Sequence, residues 1–311
     1  MRPYSRRKFL GSAALGTVAL GAAPHLGAMG GGQAPPTARS GGKFKLKYAP
    51  SLGMFEQSAG KGLVDQIKFI ADQGFRAIFD NGLMGRPPQE QEAVARELAR
   101  LGLDLGPFVA YADFQTKSFV TRDAAVRQLL EGRLKTAVEC AKRTGAKQTL
   151  VVPGRYDERL EWDYQTANVV ENLKWAAGIV EPAGLIVVVE PLNPHDHPGL
   201  FLTKMPQAYQ VCRAVRSPAC KIIEDIYHQQ ITEGNIIPNI DACFDEIAAF
   251  HCGDTPGRNE PGTGELNYRM IFKHLHAKKY DGVICMEHGK SRSGLEGEKA
   301  VIEAYRVCDN F

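Results

Sequence analysis

The strongest constraint in this chain is an alternation of short apolar, often β-branched runs with longer amphipathic ones, repeated eight times between residues 43 and 307. The runs that read as strands are KFKLKYAP (43–50), AIFD (77–80), DLGPFVAY (104–111), KQTLVVPG (147–154), LIVVVEPLN (185–193), KIIEDIYH (221–228), EIAAFHCGD (246–254) and GVICMEHG (282–289). The stretches between them carry helical periodicity. Several stop at a glycine placed as a C-cap, namely Gly74, Gly102, Gly145 and Gly184. Near-continuous apolar strands alternating with helices imply a parallel sheet buried on both faces. Eight such units closed into a ring make a (β/α)8 barrel of the α/β class, with its functional residues at the C-terminal ends of the strands. An open doubly wound sheet is the rival, yet no GxGxxG follows the first strand, and Gly30-Gly31-Gly32 precedes any strand. The sixth helix is the weakest unit, because Gly234 loosens it and Pro238 interrupts it.

Four of the later strands run straight into a metal-capable side chain: IVVVE ends at Glu190, KIIED at Asp225, EIAAFH at His251 and GVICME at Glu287. Three carboxylates and one imidazole form a hard donor set, suited to one divalent ion, with Mn²⁺ or Mg²⁺ favoured and Zn²⁺ or Co²⁺ admitted. In KIIED, strand alternation sends Glu224 and Asp225 to opposite faces, and Asp225 is taken as the ligand because His228 follows in the same loop. A lone histidine at such a place is commonly structural. Four in register argue for a site. The loop PGRNEPGTGELNY after His251 reads either as an ordinary turn or, from its place after a ligand strand, as a substrate contact. Trp162 and Trp175 read as packing residues, while Phe55, Tyr111 and Phe114 follow early strands and are candidates for an apolar pocket wall.

The N-terminus, SRRKFLGSAALGTVALGAA, pairs Arg6 and Arg7 ahead of Phe9 and Leu10 and a weakly apolar Gly/Ala stretch. It is expected to be a Tat export signal over residues 1–28, followed by a flexible Gly/Pro-rich linker over 29–43 and a single barrel domain over 44–311. The apolar stretch is too short to span a bilayer comfortably, so no stable membrane span is expected once the signal is removed. Without Arg2, Arg6, Arg7 and Lys8, 34 basic residues face 35 acidic ones, against 38 in the whole chain. That balance gives no basic face for nucleic acid. The expected partner is a small molecule, and a homo-oligomer is compatible with the reading. The seven cysteines fall singly within predicted elements with no CxxC spacing, so they read as small core residues with at most one incidental bridge.

The stretches VVVEPLNPHDHPGLFLT, EDIYHQQITEGN, HCGDTPGRNEPGTGELNY and YDGVICMEHG resemble the hydroxypyruvate isomerase group of the xylose isomerase-like TIM barrel superfamily, over roughly residues 44 to 311. The resemblance implies that Glu190, Asp225, His251 and Glu287 bind one divalent metal, and that Glu190 and Glu287 also form the acid/base pair. It further implies that His228 and Arg258 hold substrate oxygens, with Asp196 and Glu260 as second contributors. One departure stands out, since typical hydroxypyruvate isomerases carry Gln where this chain has His251, whereas sugar 3-epimerases and inosose enzymes carry His. The expected activity is therefore proton transfer beside a carbonyl through an enediolate, converting hydroxypyruvate to tartronate semialdehyde or another hydroxy-keto acid or sugar. The alternatives are a keto-sugar 3-epimerase or inosose-type enzyme, and a non-catalytic sugar-binding barrel. A metal-dependent endonuclease on this barrel would need more His ligands and a basic groove.

Overall fold

The structure, a computed structural model, describes residues 42–311. The expected export signal and nearly all of the expected linker lie outside the described residues. Nine strands form the wall: β1 (Lys47–Pro50), β2 (Ala77–Ile78), β3 (Asp104–Leu105), β4 (Phe108–Tyr111), β5 (Gln148–Val151), β6 (Ile186–Val189), β7 (Cys220–Asp225), β8 (Ile247–Cys252) and β9 (Val283–Met286). The helices are α1 (Glu56–Ala59), α2 (Leu63–Asp72), α3 (Pro88–Leu101), α4 (Ala124–Thr144), α5 (Trp162–Val180), α6 (Met205–Val215), α7 (Ile226–Thr232), α8 (Ile236–Cys243), α9 (Tyr268–Ala277) and α10 (Gly294–Cys308).

Seven strands pair in the order β1-β9-β8-β7-β6-β5-β4, and β2 pairs with β3, every pairing being parallel. The short pair fills the gap between β1 and β4. Phe79 N donates to Pro50 O at 3.1 Å, and Val109 N donates to Asn81 O at 3.2 Å. The wall therefore closes with eight positions, one of which is split. The stretch expected as one strand over 104–111 breaks at Gly106-Pro107, where proline has no N–H for the ladder. Gly106 has no room for a side chain, because a Cβ there would lie 2.8 Å from Phe79 Cβ and 3.1 Å from Cys285 Sγ.

Two apolar layers follow from strand alternation. In β6, Val187 and Val189 face the helices, and Val188 faces the barrel interior with Ala49, Phe79, Leu150, Ile223, Ala249 and Cys285. The sixth helix is broken, as the sequence suggests, but at another point. α7 ends before Gly234 (φ +62°), and Pro238 sits in the first turn of α8, where a missing N–H leaves no helix bond unmade. All seven cysteines are buried and unpaired. Trp162 stacks on Phe201 at 4.8 Å and the Trp175 ring lies under the Arg127 guanidinium at 4.4 Å, so both pack. Among the described residues, no helix is long and apolar enough to cross a membrane.

Candidate active site

Each of the four strand-end residues lies two positions beyond a residue of the inner layer: Glu190 after Val188, Asp225 after Ile223, His251 after Ala249 and Glu287 after Cys285. Period-two alternation thus sends all four side chains to the barrel axis at its C-terminal mouth. Their strands β6 to β9 are consecutive neighbours, with Asp225 paired to His251 and His251 to Cys285. One ligand atom from each of the four falls within 4.8 Å of the others, and among the described residues this is the cluster that can hold a metal. Glu224, by the same alternation, points away from the axis.

His251 is fully buried between two carboxylates, with Nδ1 at 2.9 Å from Glu190 Oε1 and 3.1 Å from Glu287 Oε2. Burial opposes its protonation, but Glu287 and Glu190 outweigh it and hold the imidazole well above its usual range. The glutamates are pushed apart. Burial raises the Glu190 carboxyl above the usual carboxylate range, against the pull of His251. Burial would raise Glu287 too, but His251, Arg258 and the Asn81 amide hold it below that range. Two carboxyls at one site with opposed shifts suit one to hold a proton and the other to stay ionised.

Asp225 caps α7, where its Oδ1 accepts from Tyr227 N at 2.9 Å. Its Oδ2 is thereby turned to the cavity, where Arg258 Nη2 donates to it at 2.7 Å and to Glu287 Oε2 at 2.7 Å. Arg258 adopts φ +49°, a left-handed conformation unusual for a non-glycine residue, and its backbone oxygen accepts from Gly289 N at 2.8 Å. His228 is buried, with Nδ1 2.6 Å from the Asn193 amide nitrogen and Nε2 3.5 Å from Asp225 Oδ2. Burial lowers its pKa to about 4, so it is a neutral ring. The Asn193 amide donates to Nδ1, and Nε2 faces Arg258 Nη1 at 3.1 Å on the side of the site.

The central cavity, of about 240 Å³, is lined by Glu190, Glu287, His228 and Arg258 and by an apolar wall that includes Val109, Leu150, Val152 and Leu192. Asp196 and Glu260, expected to contact substrate, are not among its walls. Asp196 Oδ2 accepts from Tyr227 Oη at 2.9 Å and from the Asn193 amide at 3.0 Å, so it acts behind His228. Glu260 is buried against Ser291, accepting from its backbone N at 2.9 Å and from its hydroxyl. Of the PGRNEPGTGELNY loop, Arg258 alone lines the cavity. The rest is shaped by Asp254, whose Oδ2 accepts from Gly262 N (2.8 Å) and Gly264 N (2.9 Å). Phe55 is buried against Phe69 and Phe75 instead of lining the pocket, whereas Phe114 does line it.

Sequence reasoning missed Asn81, Asn193 and His197. The Asn81 amide donates to Glu287 Oε1 at 2.6 Å, fixing that carboxylate from the opposite side to His251. His197 lines the cavity and packs edge-on against His228 at 5.3 Å. Asn81 follows β2 in FDNG, where it reads as a turn residue. Its partner lies 206 positions away.

The family described as xylose isomerase-like TIM barrel matches residues 67–310. The chain belongs to that family. Within it, the chain is 32% identical over 170 residues to the hydroxypyruvate isomerase of Escherichia coli (strain K12), covering 55% of this chain and 66% of that protein. It is 30% identical over 174 residues to the 2-oxo-tetronate isomerase of Cupriavidus necator, covering 56% of this chain and 66% of the relative. The matches thus span just under two thirds of either relative. Among solved structures, the apo 3-keto-D-glucoside 4-epimerase YcjR of E. coli superposes with a TM-score of 0.69 at 19% identity, covering 85% of this chain and 100% of that one, which is a likeness of fold. Both relatives are named as isomerases, and in this chain the barrel of that family carries a cluster of side chains that could hold a metal.

Proposed function

We propose that the protein is a divalent-metal-dependent isomerase that moves a proton on the carbon beside a carbonyl through an enediolate, with hydroxypyruvate to tartronate semialdehyde as its leading reaction. The observation that carries this reading is the convergence of Glu190, Asp225, His251 and Glu287 on one small cavity, with the two glutamates perturbed in opposite directions. The four side chains would hold the ion. The hard oxygen-rich set suits Mn²⁺ or Mg²⁺ and admits Zn²⁺ or Co²⁺. When bound, such an ion supplies a Lewis acid that polarises a carbonyl and stabilises charge on adjacent oxygens.

The chain's own groups perform the proton transfer. One of Glu190 and Glu287 removes the proton and the other returns it, each worth roughly 10² to 10⁴-fold when correctly poised. Arg258 and His228 hold substrate oxygens from one side, and the bidentate guanidinium suits a carboxylate. Val109, Leu150, Val152 and Leu192 keep water from the reacting carbon on the other.

His251 favours a second reading, a keto-sugar 3-epimerase or inosose-type enzyme, because an imidazole at this position resembles those enzymes more than the hydroxypyruvate group. Both readings share the first proton abstraction. They are separated by treating the protein with chelator, reloading it with Mn²⁺ or Mg²⁺, and following hydroxypyruvate and ketohexoses by NMR. The leading reaction predicts tartronate semialdehyde with reloaded protein and none after chelation. A C3 epimer from a ketohexose with hydroxypyruvate untouched selects the second reading.

A further inference from the structure

We propose that the mouth of the barrel carries a second sugar subsite beside the central cavity, so that the substrate class includes ketoses bearing a glycosidically linked second ring. The inference rests on the proton-transfer reading for what happens in the central cavity, and on a different part of the structure for the subsite itself. A cleft of about 460 Å³ lies between the loop after β4 and helix α4, and it shares Ala112 and Phe114 with the central cavity. Phe114 is the partition. Phe114 is 39% exposed, its ring centre lies 4.8 Å from that of His197 at a tilt of 50°, and His197 in turn lies 5.3 Å from His228. An aromatic series therefore runs from the substrate-facing histidine of the central cavity out to the cleft.

The cleft has the mixed chemistry that a sugar ring recognises. Phe114 and Leu129, the latter 49% exposed, offer an apolar surface for the C–H face of a pyranose. Tyr111 forms the buried floor. The Arg133 side chain, on the third turn of α4, and that of Gln115 make no hydrogen bond or ion pair among the described residues, leaving their donors for hydroxyl groups. Asp113, which also lines the cleft, is already committed. Its carboxylate accepts from Gln115 N at 2.8 Å, Thr116 N at 3.0 Å and Thr116 Oγ1 at 2.7 Å, fixing the loop that presents Phe114 and Gln115. Arg133 lines the outer cleft and not the central cavity, where Arg258 and His228 would hold a three-carbon acid. A ketose carrying a second ring would place that ring past Phe114 and onto these groups.

The test measures binding of D-fructose and of three ketose disaccharides, lactulose, isomaltulose and leucrose, to the full metal-loaded protein by calorimetry, alongside solvent deuterium exchange into each sugar. At least one disaccharide is expected to bind tenfold or more tightly than D-fructose, and Arg133→Ala is expected to bring that ratio within about twofold of unity. Gln115→Ala guards against a folding artefact, with a smaller fall in the same ratio and an unchanged circular dichroism spectrum expected. D-fructose binding as tightly as every disaccharide, or a disaccharide advantage that survives Arg133→Ala, overturns the subsite. The proton-transfer reading fails separately, through absence of exchange into every sugar while the disaccharide advantage persists.

Discussion

At the scale of single residues, the site works by dividing labour within each carboxylate. Asp225 spends one oxygen on the cap of α7 and turns the other to the cavity, and Glu287 is gripped at Oε1 by Asn81 and at Oε2 by His251 and Arg258. Asn81 thus fixes the orientation of the Glu287 carboxylate across the cavity. Asn81→Ala is predicted to lower kcat about tenfold, equivalent to roughly 1.4 kcal/mol of transition-state positioning, with a much smaller change in KM. Asn81→Asp should be worse, since it sets a like charge 2.6 Å from a carboxylate. Steady-state kinetics of both variants check this, and a KM effect with kcat intact would place Asn81 in substrate binding instead. Glu190 and Glu287 were legible because each interrupts an apolar run with a charge that cannot continue the core. Asn81 and Asn193 were not, because a polar residue after a strand looks the same whether it turns the chain or holds a carboxylate.

At the scale of elements, alternation in β7 has two consequences, one functional and one costly. It sends Asp225 to the cavity and leaves Glu224 fully buried on the helix side, where neither carboxylate oxygen finds a partner. Burial, reinforced by Glu233 and Asp225, pushes the Glu224 carboxyl well above its usual range, so it is neutral in the fold. In the unfolded chain it ionises near its ordinary value of about 4.3. Because the folded value is the higher one, the protonated form supports the fold below about pH 4.3, and that support drains away as pH rises toward the folded value. Glu224→Gln is therefore predicted to melt at a Tm closer to, or above, that of the parent as pH rises from 5 to 8. Thermal denaturation across that range measures it, and a parent-minus-variant difference independent of pH would show that Glu224 is ionised in the fold. The split of the third strand belongs to this scale as well. Its Gly106-Pro107 was visible in the sequence, but the need for glycine came from Phe79 and Cys285, which only the closed barrel brings there.

At the scale of the whole molecule, the eightfold alternation was enough to read the barrel and the end of it that carries the site, because period two in strands and glycine stops after helices are local signals. The second ring of residues was hidden for the opposite reason. Contacts such as Asn81 with Glu287, or Glu260 with Ser291, join positions with no local relation in the chain. Glu260 shows the same limit, since the sequence left its loop open between an ordinary turn and a substrate contact, and its hold on Ser291 was not visible there. Export belongs to this scale too, and we propose that Arg6 and Arg7 direct it as the twin arginines of a Tat signal. Replacing Arg6 and Arg7 together with Lys is predicted to retain the protein in the cytoplasm of a Tat-competent host, where the parent reaches the periplasm. Cell fractionation decides this, and equal periplasmic yields from both would remove the Tat proposal.

The central claim is that Glu190 and Glu287 move a proton at a carbon beside a carbonyl, and solvent deuterium exchange tests it most directly. Metal-loaded protein is incubated in D₂O with hydroxypyruvate, ketohexoses and inososes, and incorporation at the carbon next to the carbonyl is read by NMR. Deuterium is predicted to enter at least one of these substrates, with the rate falling by about 10² to 10⁴-fold in Glu190→Gln. Exchange into none of them, or exchange at the parental rate in Glu190→Gln, would contradict it.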